Sequence, residues 1–232
     1  MTKTANLVFS LALVIPTVAQ AGQQASQVVR VNTDDVAGYL AWAEASAPVL
    51  LADASGAIGA CAPRFGAEAE GDIYWWSSTT SFESLLSIDV NAPAVTREIA
   101  KVAPIRTVIS RDLWNALKAS DLPLEAGSTF SALVLTVETK QASGYVALLT
   151  ELEEALHQNG FSDVFWNAFA VTTGEFANHI MAFMNAPTLE RLGAAMDAVY
   201  SESWNNLGDQ FNEIRTVVQQ MVHDCYVYAA QQ

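Results

Sequence analysis

The sequence contains the same four residues twice, and this repeat constrains the fold more than any other feature of the chain. Residues 105–108, which read Ile-Arg-Thr-Val, recur as residues 214–217. Upstream of each copy, the Gly-Tyr pair at residues 38–39 matches the pair at residues 144–145. Collinear matches at so long a period indicate two related halves rather than a solenoid of short repeats.

Both halves carry the same predicted order of elements, which is strand, helix, strand, strand, helix and strand. In the second half, the pattern predicts a hairpin of strands over residues 164–171 and 176–183. A long helix from Pro187 to about residue 207 and a last strand over residues 215–228 follow. This order is that of the ferredoxin-like β-α-β-β-α-β unit, which places two helices on one face of an antiparallel sheet.

Apolar residues occur on both alternating faces of the predicted strands, so neither sheet face is suited to water. Two sheets packed face to face would bury the faces that the helices leave open. We therefore predict an α+β fold in which two tandem ferredoxin-like units form one intramolecular α+β barrel. The predicted units span residues 22–118 and 131–232, and a linker over residues 119–130 contains Pro123 and Gly127.

The first 21 residues have the pattern of a signal peptide. Lys3 precedes an apolar run over residues 7–15, Pro16 interrupts the run, and residues 19–21 supply the small-x-small pattern of a cleavage site. The run is shorter than the ~20 apolar residues that a membrane helix needs. We expect a periplasmic or secreted protein that leaves the membrane after cleavage. A retained N-terminal anchor is the alternative.

The chain is acidic, with a formal net charge of −14, and 51% of its residues are hydrophobic. Nucleic acid is a poor partner, because basic side chains supply most of the affinity for phosphate backbones. Anionic membrane surfaces are disfavoured for the same reason. The expected partner is a small hydrophobic or aromatic molecule, bound by a monomer or a homodimer.

The two cysteines, Cys61 and Cys225, lie in different halves. In an exported chain they favour a disulfide that ties the halves together, and two buried free thiols are the alternative. We expect no metal site at these thiols. His223 is the only soft ligand near them in the sequence, and the close cysteine spacing of common zinc sites is absent.

The repeat and the element order resemble the dimeric α+β barrel superfamily, which includes antibiotic-biosynthesis monooxygenases, stress-responsive barrel proteins, muconolactone isomerases and chlorite dismutases. The resemblance covers residues 27 to about 229 without a family signature motif. In that superfamily, the second strand of one unit often runs near the last strand of the other. Cys61 and Cys225 occupy these two predicted elements, so the resemblance favours the disulfide.

The resemblance also indicates where a ligand would bind, since pockets of the superfamily lie within the barrel or between a sheet and its helices. Such pockets combine an apolar wall with a few polar groups. The candidate ligand-binding residues on the central strands are Trp75, Trp76, Trp166, Asn167 and Asn178. Core packing is the alternative for the tryptophans.

His179 is the candidate catalytic base, because the predicted strand over residues 176–183 places it mid-strand. A neutral imidazole there accepts a proton from an acidic phenol or enol. In the cofactor-free oxygenases of the superfamily, the substrate anion itself reduces oxygen, so Arg106 and Arg215 are candidate stabilisers of that anion. The alternative is a structural histidine with arginines paired to carboxylates.

These observations predict an exported barrel protein that binds a small hydrophobic molecule without a cofactor. One alternative is a cofactor-independent monooxygenase or isomerase acting on an aromatic or enolic substrate. A second is a haem-binding barrel protein in which His157 or His223 ligates the iron, as the resemblance to chlorite dismutases implies.

Overall fold

The structure is a computed structural model that describes residues 24–51, 56–119, 124–201 and 205–231. The predicted signal peptide lies outside these residues. The strands are β1 (Ala25–Asn32), β2 (Gly56–Phe65), β3 (Asp72–Thr79), β4 (Thr107–Lys118), β5 (Thr129–Glu138), β6 (Phe165–Val171), β7 (Ile180–Ala186) and β8 (Thr216–Gln231). The helices are α1 (Val36–Leu51), α2 (Phe82–Leu86), α3 (Pro93–Val102), α4 (Ala142–Gln158), α5 (Leu189–Val199) and α6 (Asn205–Ile214).

The strands form one closed antiparallel barrel in the order β1-β3-β2-β8-β5-β7-β6-β4. Each half contributes a four-stranded sheet, β4-β1-β3-β2 or β8-β5-β7-β6, with the strand order of a ferredoxin-like unit. Pairing of β2 with β8 and of β4 with β6 joins the two sheets. The predicted α+β barrel is confirmed.

Three apolar cores result from the alternation of side chains along the strands. One core lies between the first sheet and α1, and it includes Tyr39 and Trp75. A second lies between the other sheet and α4, α5 and α6, and it includes Tyr145 and Trp166. The third lies inside the barrel, where Trp114 and its neighbours from both sheets meet. Both faces of each sheet are therefore buried.

Side-chain caps start α1 and α5, where the sequence places short polar residues. The Asp35 carboxylate accepts a hydrogen bond from the backbone N–H of Gly38 at 2.9 Å and caps α1. The Thr188 hydroxyl accepts one from the N–H of Arg191 at 3.1 Å and caps α5.

The repeated residues make matching contacts in the two halves. The Thr33 hydroxyl donates to the carbonyl of Ile105 at 2.5 Å, and Thr139 donates to the carbonyl of Ile214 at 2.6 Å. Each contact ties the end of the first strand of a half to the segment that leads into its last strand. The two copies of the Ile-Arg-Thr-Val sequence therefore begin at equivalent positions in the two halves.

Two predicted elements of the second half are wrong. The long helix from Pro187 is two helices, because α5 ends at Val199 and α6 begins only at Asn205. Ser201 follows α5 and donates its hydroxyl to the carbonyl of Ala198 at 2.7 Å, a local bond that competes with helix continuation. The strand predicted over residues 176–183 begins only at Ile180.

Among the described residues, none of the helices is both long and apolar enough to span a membrane.

Candidate functional site

A cavity of about 120 Å³ lies inside the barrel between the two sheets. Its wall is mainly apolar and includes the aromatic residues Tyr74, Trp76, Trp114, Phe130, Phe169 and Phe183. These side chains come from β3, β4, β5, β6 and β7, so the cavity depends on the closure of both halves into one barrel. An apolar wall with few polar groups is typical of a small-molecule site.

His223 of β8 lines this cavity, and it is almost completely buried, with 2% exposed. Neither ring nitrogen has a hydrogen-bond partner among the described residues. Burial lowers the pKa of His223 from 6.5 to about 4, so the imidazole is neutral near pH 7. A neutral imidazole without a partner offers one acceptor and one donor to a bound molecule.

Other polar groups line the cavity near the barrel end at which β1 and β5 begin. The hydroxyl groups of Ser26 and Ser78 form a hydrogen bond of 2.7 Å, and the Asn185 amide donates to the Asn167 side-chain oxygen at 3.0 Å. Trp114 Nε1 is buried without a partner among the described residues. The free hydrogen-bonding capacity of the cavity therefore lies mainly at Trp114 and His223.

An ion-pair network lies on the inward face of the strands toward the opposite end of the barrel. The Arg30 guanidinium contacts the Asp72 carboxylate at 2.7 Å and the Glu68 carboxylate at 2.5 Å. The Asp72 side chain has no solvent exposure, and Arg30 also lies 6.0 Å from the centroid of the Tyr74 ring. Charge and aromatic contacts thus occupy the barrel beyond Tyr74.

The predicted tryptophan and asparagine candidates are divided between two environments. Trp76 and Asn167 line the barrel cavity. Trp75 and Trp166 belong to the cores under the helices, and Trp75 packs against Trp42 with ring centroids 5.8 Å apart. Successive residues of a strand point to opposite faces, so neighbouring residues do not share a pocket wall.

The structure places Asn178 and His179 in the connection between β6 and β7, outside the cavity wall. Asn178 has a positive φ of 69°, which ends the turn. His179 Nδ1 lies 3.2 Å from the carbonyl oxygen of Phe176 and is partly exposed. The mid-strand position predicted for His179 is therefore wrong.

Arg106 and Arg215 lie on the helix sides of the two sheets and contact aromatic rings. Arg106 donates to the Tyr39 hydroxyl at 3.4 Å, and Arg215 donates to the Tyr145 hydroxyl at 3.3 Å. The Arg215 guanidinium also lies 4.4 Å from the centroid of the Phe211 ring. Neither arginine forms an ion pair with a described carboxylate, and neither lines the barrel cavity.

Cys61 and Cys225 form the disulfide that the resemblance favours, with a Cα–Cα distance of 4.0 Å. The two residues are directly opposite each other in the pairing of β2 with β8. Cys61 also lines the barrel cavity.

A second cavity of about 260 Å³ lies between the second sheet and the helices α5 and α6. Its wall includes Trp166, Tyr200 and Arg215 but none of the described histidines. His157 Nε2 lies instead 2.8 Å from the carbonyl oxygen of Val164. His223 faces the barrel cavity of about 120 Å³, which is far too small for a porphyrin. The described residues do not fit a histidine-ligated haem.

No protein-family model matches the chain, and no curated protein shows significant sequence similarity to it. Solved structures share its fold. A candidate monooxygenase from Fusobacterium nucleatum superposes with a TM-score of 0.62 at 10% identity and covers 90% of this chain and 94% of that chain. A candidate monooxygenase from Lactobacillus acidophilus gives a TM-score of 0.57 at 13% identity, with coverage of 90% and 97%.

A haem-binding protein from Thermus thermophilus gives a TM-score of 0.51 at 8% identity and covers 88% of this chain and 91% of that chain. These similarities show that the chain shares the α+β barrel fold of these proteins. At such low identity they show the fold alone, because this fold carries several chemistries.

His223 is the cavity residue that the sequence analysis did not select as a base. The sequence pattern that could have identified His223 is the alternation along β8, where Met221, His223 and Cys225 all face the barrel interior. A strand that carries Cys225 inward also carries His223 inward, two residues away.

Proposed function

We propose that this protein binds a small, single-ring aromatic molecule with a hydroxyl group inside the barrel. The volume supports this size class, because the cavity of about 120 Å³ is close to the ~150 Å³ that accommodates benzene. The aromatic wall, including Trp76, Trp114 and Phe169, favours a flat apolar ring. A molecule of several fused rings would need the barrel to open.

The single observation that carries this proposal is the pair of unpartnered ring nitrogens of His223. A buried polar group without a partner is costly, by about 1–3 kcal/mol, and is usually satisfied by water or a ligand. A phenolic hydroxyl that donates to the neutral imidazole would remove this penalty. The apolar ring of the ligand would meet the aromatic wall.

Isothermal titration calorimetry of the oxidised protein with phenol and catechol tests the proposal. We expect saturable binding that falls at least tenfold in His223→Phe, which keeps the ring volume but removes both nitrogens. His179→Ala is the matched control, because His179 lies outside the cavity, and its affinity should equal that of the wild type. Absence of binding to the wild type, or equal loss in both variants, would refute the proposal.

A second candidate function is cofactor-independent oxygenation or isomerisation of a phenolic or enolic substrate. The observation that favours it is the neutral His223 imidazole, which has a free acceptor for a substrate proton. Oxygen uptake with catechols and hydroquinones tests it. Turnover that is lost in His223→Phe but kept in His179→Ala would support catalysis at this cavity. Binding of the substrate without turnover would contradict this second function and leave the binding proposal in place.

We also propose that the two halves are tandem ferredoxin-like repeats and that the mature protein is exported after residue 21. The matching contacts of Thr33 and Thr139 support the repeat. The Cys61–Cys225 disulfide supports an oxidising compartment. The intact mass of the protein from its native cells tests export, and a mass that includes residues 1–21 would contradict it.

A further inference from the structure

Three side chains capable of binding a soft metal ion converge inside the barrel. Cys225 and His223 face inward from β8, and Cys61 lies opposite Cys225 on β2. One ligand atom from each residue can be chosen so that all three lie within 4.8 Å of one another. We propose that the reduced protein binds a thiophilic metal ion, of which Zn²⁺ is the best match, through Cys61, His223 and Cys225.

A zinc site requires a defined spacing of the three ligand atoms. Zn–S bonds of about 2.3 Å and Zn–N bonds of about 2.0 Å at tetrahedral angles separate neighbouring ligand atoms by roughly 3.3–3.8 Å. The three atoms lie within 4.8 Å of one another, and two of them are the bonded sulfurs of the disulfide. Once that bond is broken, side-chain rotation of the two cysteines moves the sulfurs apart to the separation that zinc requires. The backbone pairing of β2 with β8 holds the residues in register in either state.

The ligand set defines the kind of metal site. Two thiolates and one imidazole leave a tetrahedral ion with one open position, as in zinc sites that act on substrates. The open position would face the barrel cavity that Cys61 and His223 line. Met221 contributes a thioether to the same wall, and sulfur ligands favour Zn²⁺ over Mg²⁺ or Ca²⁺.

The burial of His223 supplies a second, independent indication of a ligand at this place. The side chain is 2% exposed, and both ring nitrogens lack a partner among the described residues. The Tyr74 ring stacks on the imidazole at 5.2 Å between centroids and limits its rotation. An oriented, unpartnered imidazole is ready to donate a lone pair to an ion.

The disulfide controls whether the site exists. A dithiol reductant gives two electrons and two protons to the Cys61–Cys225 bond, which becomes two thiols while the reductant becomes a disulfide. Binding of Zn²⁺ then releases the two thiol protons, because the thiolate is the ligand form. The oxidised protein lacks these ligands and should not bind the ion. The inference is independent of the proposed aromatic ligand, whose binding is measured on the oxidised protein.

Cobalt binding by the reduced mature chain tests the inference. Because the disulfide is buried, the protein is reduced with a phosphine in denaturant and refolded anaerobically with and without Co²⁺. Folding is followed by circular dichroism. We expect one equivalent of Co²⁺ with thiolate-to-cobalt charge-transfer absorption and strong tetrahedral d–d bands, and displacement by one equivalent of Zn²⁺. His223→Phe should weaken Zn²⁺ binding at least tenfold, and Cys61→Ser, which leaves the Cys225 thiolate, should at least halve the charge-transfer absorption.

Several outcomes would overturn the inference. Reduced protein that refolds but gives no charge-transfer band would do so, and so would cobalt spectra unchanged by Cys61→Ser. Unchanged Zn²⁺ affinity in His223→Phe would remove the histidine from the site. Reduced protein that folds neither with nor without the metal would show that the site cannot form. Phenol binding by the oxidised protein is affected by none of these outcomes.

Discussion

The imidazole of His223 lies against the phenol ring of Tyr74 inside the barrel, with ring centroids 5.2 Å apart and planes inclined by 26°. This contact keeps a titratable ring away from water. Burial lowers the pKa of His223 from 6.5 to about 4, so the folded protein resists protonation that the unfolded chain accepts.

The free energy of unfolding should therefore fall as the pH drops from 6.5 to about 4. In this range the unfolded chain binds more protons than the folded protein. Below about pH 4 the imidazole is protonated in both states, so it changes the free energy of unfolding no further. The pKa shift corresponds to about 3 kcal/mol. Urea unfolding at pH 7 and pH 4 measures the change in the free energy of unfolding. The same measurement on His223→Phe gives the contribution of the other titrating groups. Equal pH dependence in the two proteins would contradict the prediction.

The disulfide should contribute strongly to stability, because the two cysteines are 164 residues apart in sequence. Chain entropy predicts a contribution of about 5 kcal/mol for a loop of this length. We expect the Cys61→Ala/Cys225→Ala double variant to unfold at lower denaturant concentration by this amount or less. A reductant should change the midpoint of the wild type but not that of the variant. Identical wild-type midpoints with the disulfide intact and fully reduced would argue against the prediction.

The ion pair between Arg30 and Asp72 should be sensitive to loss of one partner. Asp72 has no side-chain exposure, so Asp72→Ala leaves the Arg30 charge buried beside Glu68. Removal of one member of a buried pair costs about 3–5 kcal/mol when no partner remains, and we expect a smaller loss here because Glu68 still contacts Arg30. The Arg30→Met/Asp72→Leu double variant should recover most of this loss, because it buries no unpaired charge. Thermal unfolding of the wild type, the single variant and the double variant measures these losses. An Asp72→Ala variant as stable as the wild type would show that water solvates the ion pair.

The matching threonines should make similar contributions in the two halves. Thr33→Val and Thr139→Val each remove a hydroxyl that donates to a carbonyl and accepts from a backbone N–H. We expect each substitution to lower the free energy of unfolding by about 2 kcal/mol. The two effects should add in the double variant, since the hydroxyls share no partner. Effects that differ severalfold would mean that the two contacts are not equivalent.

The sequence predicted the barrel because element order is a local property, whereas it could not assign side chains to the two faces. Both faces of each sheet are buried, so hydrophobicity does not distinguish the face of Trp75 from that of Trp76. The nearness of His223 to Cys61 and Tyr74 comes from the pairing of β8 with β2, and the register of distant strands is not visible in one sequence. His179 was misplaced because the turn before β7 is longer than the predicted hairpin turn.

Closure of the barrel also limits how this chain can associate with others. Each of the described strands has a neighbour on both sides, because β2 pairs with β8 and β4 pairs with β6. The pairing is incomplete, because β4 pairs with β6 only from Trp114 and β8 pairs with β2 only from Val222. A strand from another polypeptide therefore finds a free backbone edge only where β4 and β8 begin. A second copy would have to dock there, through the helices or at the strand ends, and mixing of tagged and untagged copies would leave the paired part of each sheet undisturbed.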